Sequence, residues 1–332
     1  MQSPSLFFEI VNSYQKTAAI KAAIDLDLFT MLGESPATAA ELASRCNATA
    51  RGARILADFL TILGFLEKTG ERYQLTADSA AFLNRRSPQY AGRAIEFLLS
   101  PQLTTMFEDL ASTVRQGGPR QSDTTVVPEH PVWIHFARSM GPLMVPAAQA
   151  LVELLSFEAD RDLRILDVSA SHGMFGLSFA RKYPRSRIVA LDAESVLEVA
   201  RENARAAGVV DRFSTISGDA FEVDLGTEYD AVLIPNFLHH FDLGDGVRFL
   251  KRVHSSLRSG GRVAIVEFVP NPDRVTPPSV ASFAFVMLGT TPGGDAYTFG
   301  ELAEMLQQAG FHSIQQHPLD PSNETAVIAT KA

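Results

Sequence analysis

Apolar residues recur along this chain with two different periods, and the change from one to the other divides it. Through the first half they return at helical spacing, as in "LFFEIVNSYQKTAAIKAAIDLDLF" (6–29), which predicts an amphipathic helix needing a partner surface. "TAAELASRC" and "ARGARILADFLTILGFL" predict two further helices joined by a turn, and "LEKTGERYQLT" predicts a hairpin through its Thr-Gly-Glu-Arg turn. One long helix is expected over 90–115. "QGGPRQSDTTVVPEHP" then breaks all periodicity and reads as a loop. "VWIHFARSMGPLMVPAAQALVELL" returns to helix, with Pro142 and Pro146 marking a start or a kink.

From Leu163 onward the pattern becomes strands alternating with helices, the signature of a parallel sheet with crossovers. Strands are expected at "LRILDV", "RIVAL", "RFSTIS", "YDAVLIP" and "GRVAIVEFV", with helices at about 175–182, 194–207 and 246–257. After the helix "FGELAEMLQQAGF", the strands "HSIQQHPL" and "TAVIATKA" are joined by Asp-Pro-Ser-Asn, a turn short enough to demand an antiparallel pair. The fold class is therefore α/β, a doubly wound seven-stranded sheet with a C-terminal antiparallel hairpin, behind a mostly helical, winged-helix-like domain. The expected divisions are 1–115, helical domain; 116–160, loop and connector helix; and 161–332, ligand-binding α/β domain.

Composition narrows the function classes. A chain of 332 residues exceeds the ~250 at which single cores stop growing, in keeping with two domains. Its formal net charge of −9 argues against a nonspecific nucleic-acid binder, and the second helix of the winged-helix pattern carries only two arginines in a core-like sequence. That pattern therefore reads as a packing and dimerisation module rather than a DNA reader. The single cysteine, Cys46, cannot form an internal disulfide, and no basic stretch leads into an apolar signal core, so a cytoplasmic protein is expected. No apolar run reaches the roughly 18 residues of a membrane span.

Ligands of open α/β sheets bind beyond the carboxyl ends of the strands, where four segments fall. Asp167 through Gly173, in "ILDVSASHG", offers small residues (Ser169, Ala170, Ser171) and the start of a helix. Asp192, ending the second strand, can accept from both hydroxyls of a ribose. "SGDAF", comprising Gly218, Asp219, Ala220 and Phe221, can meet an adenine amine and cover its ring. "IPNFLHHFD" follows the fourth strand with Asn236, His239 and His240.

Together these segments resemble the class I S-adenosylmethionine (SAM) methyltransferases, and within them the small-molecule O-methyltransferases with a winged-helix-like dimerisation domain. The likeness covers nearly the whole chain and rests on "ILDVSASHG", "ALDAE", "SGDAF", "NFLHHFD" and "LRSGGRVAIVEFV". It implies SAM as methyl donor, S-adenosylhomocysteine as product, a homodimer, a small acceptor, and neither nucleic acid, membrane nor metal as partner. By the same resemblance His239 is the general base, His240 the less favoured choice for it, and Glu267 the carboxylate that orients the base. Phe136 and Met140 belong to a helix over the pocket. Two departures stand out: the second flanking acid of the family falls on Ala296, beside Asp295, and Pro235 replaces a lysine near the adenine. Methylation of carbon and an NAD-dependent or DNA-binding regulatory role are the alternatives, although Gly-x-Gly-x-x-Gly is absent. The apolar stretch 279–299 is expected to line a pocket for a flat hydrophobic acceptor, and Gly173 is expected to be the one loop position needing backbone freedom.

Overall fold

The segment 6–29 is not one helix. Asn12 closes the first piece with its side-chain amide on Phe8 O, and Asp27 takes a left-handed φ of 55°, so three helices result: α1 (Ser5–Val11), α2 (Ser13–Asp25) and α3 (Leu28–Glu34). The structure, a computed structural model, describes residues 3–120, 124–127 and 129–332. By its internal contacts it divides into two compact units, Met1–Ile95 and Glu96–Ala332.

In the first unit β1 (Ala37–Thr38) leads into α4 (Ala39–Arg45), which is followed by α5 (Ala50–Ile62), β2 (Leu66–Thr69), β3 (Arg72–Leu75) and α6 (Ala77–Phe82). The expected helix-turn-helix and hairpin are present, and β1 completes a three-stranded sheet of order β1-β3-β2. Thr38 starts α4 with a capping box, its hydroxyl accepting from Glu41 N while Glu41 returns to Thr38 N. Leu28, Phe29, Leu42, Leu60 and Tyr73 form the core, which also buries Cys46. By contrast α1 buries nothing: Leu6, Phe7, Phe8 and Ile10 are all exposed.

The helix expected over 90–115 is broken into α7 (Ile95–Leu98), α8 (Pro101–Thr104) and α9 (Leu110–Gln116), with one 3-10 turn before α7 and another between α8 and α9. Pro101 opens its own short helix after Ser100, and Asp109 starts another by accepting from Ser112 N. Of the loop expected next, residues 121–123 and 128 lie outside the described residues. The helix α10 (Val132–Leu155) runs through both Pro142 and Pro146, so neither marks its start. Each proline forgoes one intrahelical bond, which burial of Ala147, Ala148, Leu151, Val152 and Leu155 offsets.

The sheet contains β4 (Arg164–Val168), β5 (Arg187–Asp192), β6 (Phe213–Ser217), β7 (Tyr229–Pro235), β8 (Leu257–Glu267), β9 (His312–Pro318) and β10 (Thr325–Thr330). Their order is β6-β5-β4-β7-β8-β10-β9, parallel except for β10, which is antiparallel to both β8 and β9. Between the strands run α11 (Met174–Lys182), α12 (Glu194–Ala206), α13 (Leu243–Ser256), α14 (Pro278–Ala281), α15 (Phe283–Thr290) and α16 (Phe299–Gln308). Alternation sends Leu166, Val232 and Ile265 to one face, against Phe249 and Leu250 of α13 and Leu302 of α16. Ile165, Leu233 and Ala264 face the other way, against Leu151 of α10 and Phe179 of α11. With both faces covered, β7 is buried at every position, which is why it reads as an unbroken apolar run. Strand order reverses between β4 and β7, so the carboxyl ends of β4, β5, β6 and β7 form the crevice.

Candidate active site

The loop leaving β4 is tighter than its composition suggests. Ser169 (φ 50°), Ser171 (φ 53°) and Gly173 (φ 75°) are all left-handed, so Gly173 is not alone in needing that freedom. A non-glycine residue holds this conformation at roughly 1–2 kcal/mol, and does so only where its surroundings impose it. Here Ala170 N donates to Leu191 O at 3.0 Å and Ser171 N to Asp192 Oδ2 at 2.8 Å, tying the loop to β5. Gly176 lets α11 sit directly on the sheet: an added Cβ would lie 2.6 Å from Ile188 Cγ2 and 3.0 Å from Asp167 Oδ2. Its own N–H donates to that same Asp167 oxygen at 2.8 Å.

Two carboxyl groups end β4 and β5. Asp167 is fully buried, and burial pushes its pKa up to about 7 against the opposing Gly176 hydrogen bond. Burial likewise carries Asp192 to about 6, although Ser171 N and Ala193 N both donate to it. Asp192 O accepts from Gly218 N, and Gly218 (φ 134°) has no room for a Cβ beside Val223. Asp219 folds its side chain onto Phe221 N at 2.8 Å, while Ala220 is buried. The Phe221 ring stands edge-on to Phe241 at 4.8 Å and carries the Arg248 guanidinium at 4.9 Å.

Beyond β7 the chain makes a turn centred on Glu267. The side chain of Glu267 is buried at the end of β8; its Oε1 accepts from Phe237 N at 3.1 Å and His239 N at 3.2 Å. Its Oε2 meets His239 Nδ1 at 2.5 Å. One carboxylate therefore fixes the backbone of the turn and the ring it presents, leaving Nε2 without a hydrogen-bond partner among the described residues. His240 is built differently: its Nδ1 is buried without a partner, Trp133 stands 5.2 Å away edge-on, and burial together with His239 holds its pKa well below the usual imidazole value. Among the described residues a carboxylate is thus paired with His239 and none with His240.

Helix α10 brings Phe136 over the β4 loop, where its ring stacks on His172 at 6.0 Å, and Met140 lies one turn farther along, partly buried. His172 is buried and neutral, its pKa lowered to about 4, and its Nδ1 accepts from Met174 N. Its composition-neutral place inside "SASHG" gave no hint of that ring packing. Asp295 is turned to Arg274 at 3.0 Å, and Ala296 is buried, so neither supplies a second acid to His239. Segment 279–299 reaches the site through Phe283, edge-on to His239 at 4.8 Å, and through Gly294, which lies directly on the His239 carbonyl. A separate cavity of about 470 Å³ is lined by α8, α9 and the residues after them, including Gln102, Thr105, Asp109, Arg120 and His130, and shares no residue with this site.

A model of the O-methyltransferase domain matches residues 134–312, and one of the O-methyltransferase dimerisation domain matches residues 8–85. The chain belongs to the O-methyltransferase family. It is 28% identical to the 3-hydroxy-5-methyl-1-naphthoate 3-O-methyltransferase of Streptomyces sahachiroi over 98% of this chain and 94% of that protein. A crystal structure of a candidate O-methyltransferase from Nostoc punctiforme is 47% identical over the whole of both chains, with a TM-score of 0.94. Human N-acetylserotonin methyltransferase, solved in complex with SAM, shares the fold at a TM-score of 0.84 and 21% identity, covering 100% of this chain and 98% of that one. Asp167 and Asp192 lie at the carboxyl ends of β4 and β5, beside the reversal of strand order, and the His239–Glu267 pair lies beyond the ends of β7 and β8.

Proposed function

We propose that this O-methyltransferase moves the methyl group of SAM to a hydroxyl oxygen of a small aromatic acceptor, with His239 as general base. The observation that carries the reading is the buried Glu267–His239 pair beside a crevice in which three buried polar atoms lack a partner among the described residues. Asp167 Oδ1, Ser171 Oγ and Asn236 Oδ1 are all buried without a hydrogen bond, an arrangement that a ligand rich in donors would satisfy. The residues therefore fit SAM: Asp192 for the ribose hydroxyls; Asp167, Ser169, Ser171, Gly173 and Asn236 around the methionine portion; Gly218, Asp219, Ala220 and Phe221 for the adenine; Phe136 and Met140 as cover.

Bound SAM supplies an electrophilic methyl group. This chain's part is to hold an acceptor hydroxyl against His239 Nε2 and take its proton. A phenol with a pKa near ~10 is mostly neutral at pH 7, so removing the proton as the bond forms lowers the barrier. Glu267, on the opposite ring nitrogen, fixes the tautomer with Nε2 free to accept and favours the imidazolium that results. His240, neutral and without a carboxylate, is left to contact the acceptor rather than to serve as base. The naphthoate acceptor named for the Streptomyces relative supports a bicyclic hydroxylated aromatic as the first class to try.

SAM binding should depend on pH with a definite sign. Donors from the ligand favour the ionised carboxylates, so the two raised pKa values mean protons must leave for binding. The Kd for SAM is expected to rise as pH falls through about 7 and then about 6, by up to tenfold per unit for each group. Calorimetry from about pH 8 to about pH 5 checks this, and Asp192→Asn should remove the lower of the two steps. A flat profile contradicts the assignment, as does binding of NAD without SAM.

The matched dimerisation domain and the wholly unburied apolar residues of α1 support a homodimer formed through the N-terminal unit. Phe8→Asp is expected to halve the mass measured by light scattering while leaving helix content unchanged; a dimeric variant would show that α1 is not at the interface. The functional division at 1–115, 116–160 and 161–332 belongs to this proposal, as does a cytoplasmic location. Among the described residues no helix is long and apolar enough to cross a membrane.

A further inference from the structure

The C-terminal hairpin feeds a second carboxyl group toward the catalytic turn. Thr325, the first residue of β10, stands opposite Glu267 in the antiparallel ladder, so Glu324 lies beside the end of β8. At 2% exposure Glu324 is as buried as Glu267 at 3%. Its Oε1 accepts from Asn236 Nδ2 at 2.6 Å and its Oε2 from Ser322 Oγ at 2.9 Å. Burial raises its pKa, and the neighbouring Glu267 acts in the same direction. Placing a carboxyl group here is costly. The hairpin does not need it, because the turn is already closed by backbone bonds from Leu319 N to Glu324 O and from Ser322 N to Leu319 O.

Asn236 gives the position a purpose. It is the residue at which the chain leaves β7, and it does so with a left-handed φ of 52°. Its N–H donates to Val266 O, and the residues that follow send the amides of Phe237 and His239 to Glu267. The turn that aims His239 thus begins with a strained residue whose side-chain amide is held by Glu324 on one side and touches Met144 Sδ at 3.8 Å on the other. We propose that Glu324 is a positioning residue for the base: through Asn236 it locks the start of the turn and so fixes the aim of His239. This rests on His239 being the base, as argued above.

The test uses full-length Glu324→Ala, Glu324→Gln, Asn236→Ala and the Glu324→Ala/Asn236→Ala double variant, with His239→Ala as reference, measuring kcat at saturating SAM, Kd for SAM and Tm. Glu324→Ala is expected to lower kcat by about tenfold or more, with Kd for SAM within about threefold of wild type. Glu324→Gln keeps an oxygen that accepts from Asn236 and should restore kcat to within about threefold. Asn236→Ala should show the kcat loss of Glu324→Ala, and the double variant should lose no more than either single one, because the pair acts as a unit. Wild-type kcat in Glu324→Ala overturns the inference, and so does a Glu324→Gln enzyme as impaired as the alanine variant. A fall confined to Tm or to SAM affinity also overturns it, by assigning Glu324 to the fold alone. Should Glu324→Ala not fold, the decision passes to Glu324→Asp, whose shorter side chain draws its carboxylate back from Asn236 Nδ2 and whose kcat must fall with Kd for SAM unchanged. If His239→Ala itself keeps turnover, the base assignment fails; if His239→Ala is inactive while Glu324→Ala is normal, only the positioning role fails.

Discussion

His239→Ala should lose about two to four orders of magnitude in kcat on a phenolic acceptor while its Kd for SAM stays within about threefold of wild type. The split follows from geometry: Nε2 is the nitrogen left open, and Glu267 holds the ring by Nδ1 rather than by any contact with the crevice at β4 and β5. Raising the pH toward the acceptor's own pKa should restore part of the lost rate, since a phenolate no longer needs a base. Wild-type turnover in the variant would remove His239 from the mechanism and leave positioning alone. The paired control is His240→Ala, for which a smaller loss, concentrated in KM for the acceptor, is expected.

Gly294→Ala should lower kcat by about ten- to a hundredfold even though its side chain makes no contact with any reactant, because misplacing a catalytic group by about 1 Å can cost that much. A Cβ at this position would fall 2.1 Å from His239 O, 2.6 Å from Thr291 Oγ1 and 2.9 Å from His240 C. The obstacle is backbone rather than the end of a flexible side chain, so either the loop 291–296 or the turn bearing His239 must move. Glu267 grips the turn by three hydrogen bonds, and a displaced turn loses some of them. Circular dichroism should show a folded protein and calorimetry near-normal SAM binding, which separates this effect from unfolding. A variant with wild-type kcat would mean that the loop yields without disturbing His239.

The alternation of strands and helices from Leu163 onward was legible because a sheet covered on both faces needs strands apolar throughout, and "YDAVLIP" and "RIVAL" cannot be mistaken for amphipathic helices. The positions of Glu267 and Asp192 were legible because a polar residue at the end of an apolar strand is conspicuous, whereas His239, four residues beyond β7, was singled out only by the likeness of "NFLHHFD" to the family. The left-handed serines were not legible, since Ser169 and Ser171 carry no mark of φ; the loop's ties to β5 come from the amides of Ala170 and Ser171. Nor was Glu324, which reads as a polar residue in a turn; its burial is a consequence of the register that sets Thr325 opposite Glu267. The single helices expected at 6–29 and 90–115 failed because local caps, at Asn12 and Asp109, and the proline at 101 outweigh a helical period.

Methyl transfer to oxygen is the claim on which the rest depends, and it is tested most directly by the product itself. The purified enzyme, incubated with SAM carrying an isotopically labelled methyl group and a set of hydroxylated bicyclic aromatics, should release S-adenosylhomocysteine in step with a product whose label appears at the chemical shift of an aryl methoxy carbon. A labelled methyl bonded to ring carbon, or no labelled product across acceptors while SAM binds normally, would contradict the account.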